Sequence, residues 1–152
     1  MTVQVAVIGP GDDARPVDVD RALEVGQLLA ERGAVVVTGG LGGVMAAALE
    51  GAAAAGGVTL ALPPGTDRTA VATVVVPTGL GEARNVLVVG SADAVIAIGG
   101  SWGTLSEIAL ARRAGVRIVS LDGWSVFDAD GAPLDLPHVD TAAAAVTYAL
   151  NP

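Results

Sequence analysis

The sequence contains no cysteine, no lysine, a single histidine and only 3% aromatic residues. Without cysteine there is no disulfide, no thiolate metal site and no cysteine nucleophile. Without lysine there is no Walker A phosphate loop, so ATP hydrolysis of that kind loses its support. His138 stands alone beside Pro137, with no partners at metal-ligand spacing, and reads as an ordinary loop residue. No other histidine could serve Ser101 or Ser106, so a Ser-His-Asp triad is not expected. Charge is sparse too: 16% of residues are charged, and the formal net charge is -8. All the basic residues are arginines. Such an acidic chain is a poor partner for nucleic acid or for an anionic membrane surface. A small phosphorylated ligand stays open, because a cradle of N–H groups and one arginine outweigh a distant negative field. The longest uncharged run, Gly33–Leu49, is broken by Gly39, Gly40, Gly42 and Gly43 and does not read as a membrane span.

What is present is apolar and glycine-rich: 52% hydrophobic residues and 21 glycines in 152 residues. That length fits one domain, residues 1–152. The N-terminus runs straight into the β-rich Val3–Ile8, so no leader is expected and a cytoplasmic setting is the default. Strands are predicted at Val3–Ile8, Ala34–Val37, Val58–Leu62, Thr73–Val76, Ala94–Ile98, Val116–Leu121 and Trp124–Phe127. Helices are predicted from an Asp18 cap to Arg32, and over Val44–Ala55, Gly81–Ser91, Gly103–Ala114 and Asp140–Leu150. Asp128-Ala129-Asp130-Gly131 fails the calcium-loop pattern and reads as a tight turn. Alternation of short apolar strands with amphipathic helices predicts an α/β fold: a Rossmann-like, doubly wound parallel sheet in a three-layer α/β/α sandwich. Val86–Val89 makes the third helix apolar on all sides, which implies burial on both faces and a homo-oligomer, dimer or tetramer.

In such a fold ligands gather beyond the carboxyl ends of the strands. Three glycine-rich turns fall there: Gly9-Pro10-Gly11, Gly39–Gly43 and Gly99–Gly103. Helix first-turn amides lack internal partners and favour an anion, and glycine lets backbone approach a phosphate. No stretch completes the dinucleotide fingerprint, so hydride transfer is not supported. Arg84 is expected in the first turn of the helix before Ala94–Ile98, and Glu107 in the first turn of the helix after it. Both then stand at the carboxyl edge. An arginine there suits a phosphate, and a glutamate could serve as general base or stabilise a cationic sugar. Structural alternatives exist for each. Thr104-Leu105-Ser106-Glu107 is also a capping box, Arg84 could pair with Glu82 or Glu107, and Trp102 could pack on a neighbour or stack on a ring.

The segment Gly81–Leu121 resembles the LOG ("lonely guy") proteins, known by P-G-G-x-G-T-x-x-E preceded by an R-K pair. Here Gly99-Gly100-Ser101-Trp102-Gly103-Thr104-Leu105-Ser106-Glu107 and Arg84-Asn85 stand in those places, at the family's interval. Gly39-Gly40-Leu41-Gly42-Gly43-Val44-Met45 resembles the family's G-G-G-x-x-G-L-M turn. The resemblance implies release of a base from a nucleoside 5′-monophosphate, with Arg84 and Glu107 as the catalytic pair. The strand-end glycines and the resemblance together give a candidate ligand and phosphate cradle of Gly9, Gly11, Gly39, Gly40, Gly42, Gly43, Met45, Asn85, Gly99, Gly100, Ser101, Gly103 and Thr104, in which the resemblance puts the backbone of Gly100, Gly103 and Thr104 on the phosphate; no metal and no resident cofactor are expected. Three departures stand out: Ile98 in place of proline, Asn85 in place of lysine, and Glu82-Ala83 where a histidine usually precedes the arginine. A-R-N with I-G-G-x-x-G-T-L-S-E-I-A looks closer to a sister branch that contains the molybdenum-cofactor carrier proteins. That likeness implies the alternative reading, a non-catalytic carrier with molybdenum cofactor or a related phosphorylated pterin as cargo. A DNA-processing relative shares the fold, but the acidic charge argues against DNA binding. A third reading is a structural oligomer with a vestigial pocket.

Overall fold

The computed structural model describes residues 1–151. β1 (Gln4–Ile8), β2 (Val35–Thr38), β3 (Thr59–Ala61) and β4 (Val74–Val75) run outward from the sheet centre. α1 (Pro16–Glu31) links β1 to β2 and α2 (Val44–Ala54) links β2 to β3. After a 3₁₀ turn (Gly81–Arg84) come α3 (Asn85–Gly90), β5 (Ala94–Ile98), α4 (Trp102–Ala114), β6 (Arg117–Leu121), β7 (His138–Val139) and α5 (Ala142–Leu150). The sheet order is β4-β3-β2-β1-β5-β6-β7, and every pairing is parallel. This is the Rossmann-like α/β sandwich expected from the alternation of elements. Strand order reverses between β1 and β5, which opens a crevice at their carboxyl ends.

Alternating side chains build the two core layers. Val5 and Val7 of β1, with Ile96 and Ile98 of β5, pack under α1, α2 and α5. Ala6 and Ile8, with Val95 and Ala97, pack under α3 and α4. Period-two projection from a doubly covered strand requires apolar residues on both faces, which is why these runs lack polar positions. Gly26 on α1 and Gly51 on α2 face the partner helix's backbone. A β-carbon at either would strike it, and their absence lets the two helices close together.

Several local expectations change. Asp18 is not the cap of α1; Arg15 holds that place, and the Asp18 carboxylate accepts its backbone N–H at 3.1 Å. The third helix divides, because Gly81–Arg84 winds as a 3₁₀ turn before α3. Within α3 only Val88 and Val89 are buried with the core, while Val86 and Leu87 are exposed. Trp124–Phe127 forms no strand: only a single antiparallel bridge joins Phe127 to Pro133, so these residues find no continuous partner. His138, expected in a loop, instead begins the edge strand β7. The Asp128–Gly131 turn forms as read, with the Asp128 carboxylate accepting from the amides of Asp130 and Ala132. Among the described residues no helix is long and apolar enough to cross a membrane.

Candidate functional site

The crevice between β1 and β5 receives the N-terminus of α4. Ser101 caps that helix with extended backbone (φ -154°, ψ 171°), and its Oγ accepts from Thr104 N at 3.2 Å. The alternative Thr104–Glu107 capping box does not form, because the helix begins two residues before Thr104 and its cap is already supplied. Glu107 therefore lies in the second turn, not the first, and its carboxylate is free to face the crevice. The amides of Trp102 and Gly103 open the helix and have no partner within it.

Arg84 reaches the same place from the other side of the crevice. It sits at the junction of the 3₁₀ turn and α3, and its side chain is buried. Its Nη1 lies 3.9 Å from Glu107 Oε1 and donates a short hydrogen bond to Asn85 Oδ1. The neighbouring Glu82 makes no ion pair with it among the described residues. Asn85 Nδ2 donates in turn to Ser106 Oγ at 3.5 Å, and Ser106 Oγ donates to the Gly103 carbonyl at 2.7 Å. The chain Arg84–Asn85–Ser106–Gly103 thus ties the arginine to the first turns of α4. Arg84 Nε is buried with no hydrogen-bond partner.

A cavity of about 190 Å³ lies between these groups. It is lined by Gly9, Gly11, Met45, Arg84, Asn85, Ser101, Gly103, Thr104 and Glu107, and also by Leu41, Pro64 and Glu82. The last three carried no sequence signal as site residues; loops after β2 and β3 and the 3₁₀ turn bring them in. Gly39, Gly40, Gly42, Gly43, Gly99 and Gly100 lie outside the cavity wall. Gly39 backs onto the Arg84 guanidinium, Gly40 onto Pro63, Gly42 onto Asp12 and Gly43 onto the Gly11 and Pro10 carbonyls. Gly99 covers the Asp18 carboxylate and Gly100 lies against the Trp124 indole.

Burial sets the electrostatics. It pushes the Glu107 carboxyl up to about 7, with the Arg84 charge acting in the opposite direction. The same burial lowers the Arg84 pKa, opposed by Glu107 and Glu82. Near neutral pH the pair therefore holds one fixed cation and one carboxyl that changes charge. A cation, orphan amides and two hydroxyls around a small cavity are groups that can receive an anion. A carboxyl titrating near 7 beside them could equally accept a proton.

The model of the SLOG cluster4 family matches residues 2–146. The chain belongs to the SLOG cluster4 family. An uncharacterized protein of Archaeoglobus fulgidus is 42% identical over 135 residues, which is 83% of this chain and 88% of that protein. Among solved structures, the molybdenum cofactor binding protein of Rippkaea orientalis superposes with a TM-score of 0.85 at 32% identity. The match covers 97% of this chain and 94% of that one. The molybdenum cofactor carrier protein of Chlamydomonas reinhardtii gives a TM-score of 0.83 at 31% identity, covering 97% and 95%. The SLOG membership and these neighbours agree with the LOG-like resemblance and with its carrier branch.

Proposed function

We propose that this chain holds a phosphorylated pterin of the molybdenum-cofactor type as cargo. One observation carries the reading. The buried Arg84, with Nε unpartnered, shares a cavity with the opening amides of α4, in a fold whose solved relatives at 31–32% identity are named for binding or carrying molybdenum cofactor. The phosphate end fits this receptor: Arg84 supplies the charge, Ser101 and Thr104 the hydroxyls, and Gly103 the backbone. The cavity volume is below the roughly 300–1,000 Å³ of sites that enclose a whole small molecule. It therefore takes the phosphate end, and the ring lies beyond it along the crevice.

The second reading is hydrolysis of a nucleoside 5′-monophosphate to free base and ribose 5-phosphate, with water adding at the anomeric carbon. The Arg84–Glu107 pair and the elevated Glu107 pKa favour it, since Glu107 could take the water's proton. The departures at Glu82-Ala83, Asn85 and Ile98 speak for the carrier. Calorimetry with a phosphorylated pterin, for wild type and Arg84→Met, tests the first reading. Binding without bond cleavage, weakened about ten-fold or more in the variant, supports it. Chromatography after incubation with AMP and GMP tests the second. Base release by wild type that disappears in Glu107→Gln would replace the carrier with an enzyme.

A further inference from the structure

We propose that Trp102 and Trp124 form the ring-binding half of the site, a subsite for a 2-amino-4-oxo heterocycle whose phosphate enters the Arg84 cavity. This rests on the phosphorylated-ligand reading above. The chain has only two tryptophans, and both stand here, 79% and 40% exposed. Their ring centroids are 5.4 Å apart at 86°, in an edge-to-face pair that leaves most of Trp102 in solvent. A large ring left in water next in sequence to cavity-wall residues is an open stacking surface.

The tryptophans join the phosphate cavity residue by residue. Trp102 lies between Ser101 and Gly103, both in the cavity wall. Trp124 rests on Gly100, where a β-carbon would enter its indole ring. On the far flank of the same loops is a second cavity of about 260 Å³, bordered by Pro10, Gly100, Trp124, Asp13 and Asp122. Pro10 adjoins Gly9 and Gly11, and Gly100 adjoins Ser101, so the two cavities flank the same two loops.

The polar groups of this second cavity indicate the ring. Arg15 also borders it, but its guanidinium is engaged by the Asp18 carboxylate and by the Asp122 carbonyl. Asp122 is held by Arg21 at 3.3 Å. The Asp13 carboxylate has no hydrogen-bond or ion partner among the described residues. Beside the Trp124 indole N–H, the wall offers the Asp13 and Asp122 carboxylates as acceptors. Acceptors match the adjacent N–H and NH₂ of a pterin or guanine edge; adenine has no ring N–H beside its amino group.

The test uses inorganic phosphate, GMP, AMP and phosphorylated 6-hydroxymethylpterin. Calorimetry is run on wild type, Trp102→Ala and Trp124→Phe, and tryptophan fluorescence on wild type. Because no other tryptophan exists, fluorescence reports this subsite alone. The pterin and GMP should quench it, and inorganic phosphate should not. Trp102→Ala should weaken both ring ligands by about ten-fold or more while leaving inorganic phosphate unchanged. Trp124→Phe, which keeps an aromatic ring on Gly100, guards against loss of folding in a deeper truncation. Wild-type affinity for the ring ligands in both variants would overturn the subsite and leave the phosphate cavity standing. AMP binding as tightly as GMP would overturn the ring class. Failure of every phosphorylated compound to bind wild type would overturn both this subsite and the carrier reading.

Discussion

Gly39 lies directly behind the Arg84 guanidinium: a β-carbon at position 39 would stand 2.5 Å from Nη2 and 2.7 Å from Cζ. The glycine is thus what lets a buried arginine reach the cavity. The obstacle is the far end of a flexible side chain, so Gly39→Ala displaces the guanidinium more readily than the backbone. The expected outcome is a loss of affinity for a phosphorylated ligand of about ten-fold or more, with thermal stability changed much less. Calorimetry and a melting curve on the same variant check both halves. A folded Gly39→Ala protein with unchanged affinity would remove Arg84 from phosphate recognition.

Glu107 predicts a pH dependence of stability. Its carboxyl titrates near 4.5 when unfolded and near 7 in the fold, because burial penalises the charge. Below 4.5 both states are protonated and the group contributes no difference. Between 4.5 and 7 the unfolded chain releases the proton while the fold keeps it, so stability falls as pH rises. Above 7 the loss is complete, at roughly 3 kcal/mol. Glu107→Gln removes that slope and should be more stable than wild type at pH 8 and nearly equal at pH 4. Denaturant midpoints at the two pH values decide the matter. Equal wild-type and variant midpoints at both would show that the carboxyl is not held in a low-dielectric site.

Strands β1 to β6, their glycine-rich ends and the switch crevice were legible because apolar runs and glycine punctuation are local signals. Which residue caps α4 was not. Ser101 and Thr104 are both capping types three residues apart, and only the extended backbone at Ser101 separates them. That one choice moves Glu107 from a helix cap to the cavity wall. Leu41, Pro64 and Glu82 were illegible as site residues because separate loops deliver them to one cavity. The Trp102–Trp124 contact was equally hidden, since crossing from β5 to β6 brings the two rings together. Trp124–Phe127 misled in the opposite way: its composition suits a strand, but the sheet offers it no edge.

Gly43 closes the turn from β2 into α2 with φ 59° and ψ -126°, a region where a side chain is strained. A β-carbon there would also meet the Gly11 and Pro10 carbonyls, which are backbone and cannot swing aside. Gly43→Ala should therefore cost on the order of 3 kcal/mol of stability, unlike Gly39→Ala. Urea denaturation checks it, and a cost below about 1 kcal/mol would show that the turn repacks freely.

Ligand affinity and turnover should respond to pH in opposite directions, which separates the two functional readings. If the cavity only holds a phosphate, ionisation of Glu107 adds a negative charge beside a negative ligand. Affinity then falls as pH rises through about 7, and Glu107→Gln flattens that fall. The phosphate's own second ionisation, near pH 6, is common to both proteins and cancels in the comparison. If Glu107 is instead a general base, base release needs its ionised form and rises through the same pH. Parallel calorimetry and chromatography between pH 5.5 and about 8.5 make the comparison. The carrier reading expects affinity to decline with pH in wild type alone and no base release at any pH. Release that climbs toward pH 8 in wild type and is absent in Glu107→Gln would identify catalysis.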